Sequence, residues 1–206
     1  MKGDLLCKST FKASIVIPTL NGGAEFKKCL EMIYKQNTRY TFEVIVIDSG
    51  SRDGSVEVAQ KFPVRLYQIN KKNFNHGLTR QWGVDLAHGE YVTFITQDAI
   101  PYDENWLNSL IENLENDENV AGVYSRQIPK PGCDPIAKTR IENWITGSNE
   151  KRIRYIKDRL AYDSLSPWDK RIFINYDNVS SCARKEILKK CPYSKIDNKN
   201  NIYIQE

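Results

Sequence analysis

The stretch ASIVIP, residues 13–18, is a short apolar run broken only by Ser14 and closed by a proline. A run this short, bounded by a residue that cannot continue a ladder, reads as a strand buried on both faces, since a half-wet strand would alternate. Residues 25–36 follow with Phe26, Leu30, Ile33 and Tyr34 at helical spacing, and TFEVIVI at 41–47 is a second buried strand. Asp53 or Ser51 is placed to cap a short helix carrying Val56 and Ala59. Outward from there the pattern predicts a strand at 64–68, a helix at 77–87 and a strand, YVTFI, at 91–95. Trp106, Leu107, Leu110, Ile111 and Leu114 mark one more helix, and residues 120–124 a fifth strand. Strand–helix alternation with short connections predicts an α/β fold: a doubly wound, mostly parallel sheet covered on both faces.

Beyond Gln127 the regularity fades. Pro129, Pro131 and Pro135 interrupt the chain, residues 135–146 read as an amphipathic helix, and KRIRYIKD at 151–158 as a solvated segment. Residues 171–176 and 202–204 read as strand fragments and 184–190 as a short helix. Residues 1–127 therefore form the regular α/β half, and residues 128–206 an irregular appendage to the same domain.

With 206 residues, 40% of them hydrophobic, the chain is long enough for one substantial core. A net charge of +4 suits an anionic substrate or an anionic membrane face, and equally an ordinary surface. The lysines and arginines are dispersed, which argues against a nucleic-acid partner. No early stretch combines a basic start, an apolar core and a cleavage site, and no apolar run nears the roughly 20 residues of a membrane span. The five cysteines show no CxxC spacing and read as reduced thiols of a cytoplasmic protein. Without export, the acceptor-like triplet Asn178-Val179-Ser180 reads as chance.

In an open parallel sheet, ligands bind at the carboxyl ends of strands where strand order reverses. At those ends stand Pro18-Thr19-Leu20-Asn21, Asp48-Ser49-Gly50-Ser51 and Thr96-Gln97-Asp98-Ala99. Singly, each aspartate reads as a cap or turn former. Two carboxylates converging on one rim point to a binding site. No Ser/His/Asp or Cys/His arrangement is legible, so covalent hydrolysis has no support.

The segments SIVIPTLNG (14–22), VIVIDSGSRDGS (44–55), FNHGLTRQWG (74–83) and GEYVTFITQDA (89–99) resemble, in order and spacing, family 2 glycosyltransferases of the GT-A fold. TQDA followed by Glu104-Asn105-Trp106, with VYSRQIP at 123–129, more narrowly resembles rhamnosyltransferase-like members. The resemblance covers nearly the whole chain. It implies a Rossmann-like GT-A sheet with an irregular C-terminal acceptor region, and inverting transfer of a sugar, rhamnose among the candidates, from a dTDP- or UDP-sugar to a glycan or lipid-linked acceptor in surface polysaccharide synthesis. It implies work in the cytoplasm, with peripheral membrane association at the inner face.

Residue by residue, the resemblance implies that Asp48 hydrogen-bonds the nucleotide base or ribose and that Pro18, Thr19 and Ser49 line its pocket beside Gln97. Arg80 would lie near the diphosphate, where a fixed bidentate donor suits phosphate oxygens. Asp98 would hold a divalent cation, Mg2+ or Mn2+, although Thr96 stands where the family's Asp-x-Asp motif has its first aspartate. His76 either touches the diphosphate or caps the following helix. Trp82 and Trp106 read as core, and Trp144 and Trp168 as core or as sugar-stacking platforms. Glu206 matches the first member of the Glu-Asp pair that supplies the general base, which implies a truncated chain ending before the base. The competing readings are a non-catalytic nucleotide-sugar binding fragment and a sugar-1-phosphate nucleotidyltransferase. The latter needs a Gly-rich basic loop after the first strand, and here no lysine or arginine stands between that strand and Lys27.

Overall fold

The computed structural model describes residues 10–194. The predicted 202–204 strand and Glu206 lie outside them. The described chain divides into two compact units: one holds the residues up to Val123 and from Asn178 onward, the other Tyr124–Asp177.

The first unit is built on a six-stranded sheet. β1 (Ala13–Thr19) and β2 (Phe42–Asp48) are followed by β3 (Val64–Gln68), β4 (Tyr91–Ile95), β5 (Gly122–Tyr124) and β6 (Ser180–Arg184). Their spatial order is β3-β2-β1-β4-β6-β5. β1 pairs in parallel with both β2 and β4, so every β1 residue but Pro18 is buried. That two-sided burial is the reason the run carries no polar alternation. Helix α1 (Gly23–Tyr34) turns Phe26, Cys29, Leu30 and Ile33 into the core, and α4 (Trp106–Glu115) adds Trp106, Leu107, Leu110, Ile111 and Leu114. Between them come α2 (Ser55–Ala59) and α3 (His76–Leu86). α3 packs close to β1, since a Cβ on Gly83 would stand 2.5 Å from a Val16 methyl.

β6 escapes the sequence pattern. Its residues, SSCAR, carry no branched apolar run, yet Ser181, Cys182 and Ala183 are buried because the strand runs antiparallel beside β4. Small side chains suffice where the neighbouring strand and helix fill the space, and Trp106 Nε1 donates to Ser180 Oγ at 2.9 Å. A short helix, α8 (Lys185–Lys190), follows.

The second unit holds α5 (Pro135–Asn143), α6 (Arg159–Asp163) and α7 (Pro167–Phe173). Its two ends are pinned together: Gln127 Nε2 donates to Asp177 at 2.8 Å, and the Tyr124 and Tyr176 rings meet edge to face. The strand expected at 171–176 is a helix up to Phe173. Ser166 accepts from the Asp169 amide and donates to its carboxylate, with Pro167 at the first helical position, and this cap outweighs the apolar run that follows. Trp106 is core as expected, whereas Trp82 is half-buried against the Tyr67 ring. Trp144 and Trp168 are 37% and 59% exposed, so the core reading fails for both.

At the amino ends of the strands lies a buried polar cluster. Glu43 Oε1 accepts from Ser14 Oγ and the His88 amide, both at 2.6 Å, and its Oε2 accepts from Arg65 Nη1 at 2.7 Å. Arg65 also donates to Leu86 O at 2.9 Å and to the Tyr67 hydroxyl at 2.8 Å. Burial by itself would push the Glu43 carboxyl up. The bonds from Ser14, His88 and Arg65 outweigh it and hold the group below its ordinary range. This cluster fastens β1, β2 and β3 to the turn before β4 at the end of the sheet remote from the rim considered next.

Candidate functional site

The strand order reverses at β1, with β2 on one side and β4 on the other, so the crevice beyond their carboxyl ends is where a ligand belongs. The expected residues lie there. Thr19 stands in register with Asp48, and the Ser49 amide and hydroxyl donate to Thr19 O at 2.9 and 3.1 Å. Asp48 is 1% exposed and organises its own loop. Its Oδ1 accepts from the Gly50 and Ser51 amides at 2.9 and 3.0 Å, and its Oδ2 from the Ser51 hydroxyl. A carboxylate offers about four lone-pair positions, so about one remains for a ligand. Gly50 adopts φ +96°, which lets the loop curl around that carboxylate.

The loops after β1 and β2 interlock, and sequence reading did not anticipate this. The amides of Asn21, Gly22 and Gly23 donate to Ser51 Oγ, Ser55 Oγ and Asp53 Oδ2 at 2.8, 2.9 and 2.8 Å. In return Asn21 Oδ1 accepts from the Arg52 amide at 2.8 Å. The cap position of α2 falls on Gly54, with no side-chain cap, and not on Asp53 or Ser51 as expected. Asp53 stands one residue before it and accepts from the Ser55 amide and hydroxyl, bonds that hold its carboxyl below the ordinary range. The only available signal was the density of Ser, Asp and Gly in 48–55, which reads as turn chemistry and says nothing of which loop it serves.

Gln97 joins the third loop to the first. Its Oε1 accepts from the Leu20 amide at 2.7 Å, and its Nε2 donates to Leu20 O at 2.9 Å. Both ends of its amide are thus spent on the scaffold, and its bearing on a ligand is through the position of Leu20. Replacing Gln97 by Ala strands a backbone donor and acceptor in a half-buried place. The expected cost is about 1–3 kcal/mol. Chemical denaturation checks the figure, and Gln97→Glu, which keeps the acceptor and loses the donor, should fall between.

Thr19 is buried and its hydroxyl donates to Ile17 O at 3.2 Å, so the side chain faces its own strand. Pro18 is partly exposed beside it. The third loop leaves Asp98 exposed, and among the described residues no hydrogen bond or ion pair engages its carboxylate.

On α3 the cap is Asn75, whose Oδ1 accepts from the Gly77 and Leu78 amides at 3.0 and 3.1 Å. The capping role that stood open for His76 therefore belongs to its neighbour. His76 opens the helix with its ring edge-on to Phe74, and Arg80 Nη1 donates to His76 O at 2.9 Å. Partial burial, and then the charge of Arg80, hold the His76 imidazole below its ordinary range. Near neutral pH it is therefore an uncharged N–H donor. The β3–α3 connection starts beside Asp48, whose carbonyl accepts from the Ile69 amide at 2.8 Å.

Among the described residues no three His, Cys, Asp or Glu side chains come together to hold a metal ion. A lone accessible carboxylate still fits Mg2+ or Mn2+ in one setting. Magnesium keeps several waters and is commonly held by one or two carboxylates together with substrate phosphate oxygens. An attacking hydroxyl must also lose its proton to a base; Glu206, where that motif is expected, lies outside the described residues.

This rim and sheet belong to a recognisable class. The sequence profile described as Glycosyl transferase family 2 matches residues 14–176, and the chain belongs to that family. It is 37% identical over 128 residues to the O-antigen chain rhamnosyltransferase RfbN of Salmonella typhimurium, which spans 61% of this chain and 40% of that protein. The solved structure of S. aureus TarS 1-349 in complex with UDP-GlcNAc matches with a TM-score of 0.60 at 18% identity, over 87% of this chain and 47% of that one. The mannosyltransferase PcManGT from Pyrobaculum calidifontis, in complex with GDP-Man and Mn2+, matches with a TM-score of 0.58 at 17% identity, over 89% and 47%. At these identities the structural likeness establishes the GT-A fold alone. The chain spans well under two thirds of each of these proteins.

Proposed function

We propose that this chain carries the donor-binding part of an inverting glycosyltransferase, one that moves a sugar from a dTDP- or UDP-sugar to a glycan or lipid-linked acceptor. The observation that carries the reading is the rim itself: three loops at the strand-order reversal, tied to one another, with an exposed and unengaged Asp98 among them. In this reading the remaining lone pair of Asp48 accepts from a ribose hydroxyl or a base N–H, between walls formed by Pro18, Thr19 and Ser49. Arg80 faces the diphosphate as a charged donor and His76 as a neutral one. Asp98 holds a divalent cation, which when bound offsets the charge gathering on the departing nucleoside diphosphate. The acceptor oxygen bonds to the anomeric carbon as the bond from that carbon to phosphate breaks, which inverts the centre. The acceptor side lies beyond residue 127.

Similarity to an O-antigen chain rhamnosyltransferase supports rhamnose as the sugar and surface polysaccharide as the product; in this reading the transfer takes place in the cytoplasm at the inner membrane face. The nucleotidyltransferase reading meets an obstacle in the first loop. The amides of Asn21, Gly22 and Gly23 point into the 51–55 loop, so they are not available to cradle a triphosphate.

The test is a thermal-shift panel of UDP, dTDP and GDP, each with and without Mg2+ or Mn2+. A ligand at a hundred times its Kd stabilises the native state by about 2.7 kcal/mol, which for a chain of this size corresponds to roughly 5–10 °C. One nucleotide should stand out. No shift with any of them would remove the donor site, and nucleotide binding with no turnover on any acceptor would favour the non-catalytic reading.

A further inference from the structure

The charge of the chain is unevenly placed. Tyr124–Asp177 carries eleven lysines and arginines against seven acids, and the rest of the chain carries nineteen of each sign. The whole net charge of +4 therefore sits in the smaller unit. The same unit exposes eight of the ten large hydrophobic side chains that stand open among the described residues.

Both features are concentrated in residues 151–160, KRIRYIKDRL, which hold five cations and a single acid. Ile153 is 69% exposed, Tyr155 60%, Ile156 43% and Leu160 81%. The one acid is occupied: Asp158 caps α6, accepting from the Leu160 and Ala161 amides at 2.9 and 3.2 Å. Lys157 lies over the Tyr155 ring at 5.1 Å, and Lys151 and Arg152 are exposed at the start of the segment.

Apolar tips interleaved with cations, with almost no acid among them, match an interface that is greasy inside and negative at its surface. A second copy of this chain fits poorly, because the two units would present like charge to each other. We propose that residues 151–160 dock the protein on an anionic lipid surface. Ile153, Ile156 and Leu160 enter the acyl boundary, while Lys151, Arg152 and Lys157 meet headgroup phosphates. The inference deepens the reading of a glycosyltransferase working at a membrane face and rests on it for its biological sense, though not for its physics.

Co-sedimentation of the full chain with lipid vesicles tests it. Vesicles of phosphatidylcholine with one-quarter phosphatidylglycerol should bind the protein at low salt, pure phosphatidylcholine should not, and molar salt should release it. Lys151→Gln with Arg152→Gln should weaken binding about 25-fold, at about fivefold for each cation near the surface. Ile153→Ser with Leu160→Ser should weaken it while leaving the salt dependence in place. Equal binding to neutral and anionic vesicles, or no binding to either, would overturn the proposal. So would a concentration-dependent dimer in vesicle-free sedimentation that Ile153→Ser abolishes. Nucleotide thermal shifts on the same samples separate the two readings. A retained nucleotide response without vesicle binding sinks the docking surface alone, and vesicle binding without a nucleotide response sinks the donor site alone.

Discussion

Replacing Glu43 by Ala should cost about 3–5 kcal/mol of stability, the range expected when one partner of a buried ion pair is removed. The Glu43 side chain is only 5% exposed and accepts from Ser14, His88 and Arg65 at once. Its loss leaves the Arg65 guanidinium, a hydroxyl and a backbone amide to find other partners at the foot of the sheet. For a chain of this length the loss corresponds to a fall in Tm of roughly 6–20 °C. Glu43→Gln keeps the shape and one acceptor, and should cost less. The pH dependence separates charge from shape. The folded-state pKa of Glu43 lies below its ordinary value of 4.5, so its stabilisation is fully present above that value and is lost as pH falls through the folded pKa. The parent protein should lose stability below about pH 4.5, and Glu43→Gln should lack this share of the loss. Matching acid profiles in the two proteins would show that the carboxylate's charge contributes nothing. The cluster sits at the end of the sheet away from the candidate rim, so nucleotide binding by whatever fraction stays folded should be unchanged.

Asp98→Asn should abolish the gain in nucleotide affinity that Mg2+ or Mn2+ provides and leave metal-free binding nearly intact. Groups that merely orient a metal ligand are worth about 10–100-fold in metal affinity, so loss of the ligand itself should reach at least that order. Asparagine keeps the volume and one oxygen of Asp98 but not the negative charge that a hard dication requires. Since no described residue engages the Asp98 carboxylate, the substitution should leave stability within about 0.5 kcal/mol, as for other exposed positions. The same titration on the parent protein sets the reference. A metal effect that persists in Asp98→Asn would take Asp98 out of metal binding. A parent protein indifferent to metal would remove the cation and leave the nucleotide site standing.

The sequence exposed most of the α/β frame because its strands are buried on both faces and its helices on one. β1, α1, β2, β3, β4 and α4 each follow from apolar pattern, within a residue or two of their observed limits. β6 was illegible for the converse reason. A strand made of Ser, Ser, Cys, Ala and Arg is set by the space beside β4 and by the Trp106 contact to Ser180, which no local pattern encodes. The 171–176 segment failed in the opposite direction: its apolar residues look like a strand, but a Ser166–Asp169 cap upstream starts a helix.

At the candidate site the sequence by itself determined which residues reach the rim, because a residue following a buried parallel strand must emerge at its carboxyl end. Asp48, Gln97 and Asp98 were placed by that rule alone. What each side chain does there was decided by the tertiary structure. Gln97 is spent on Leu20, Thr19 on Ile17 and most of Asp48 on its own loop, while Asp98 is left open to solvent. The physical reason is that strand periodicity is local, whereas a hydrogen bond between loops depends on which strands become neighbours. That adjacency is fixed only when the sheet has closed in the order β3-β2-β1-β4.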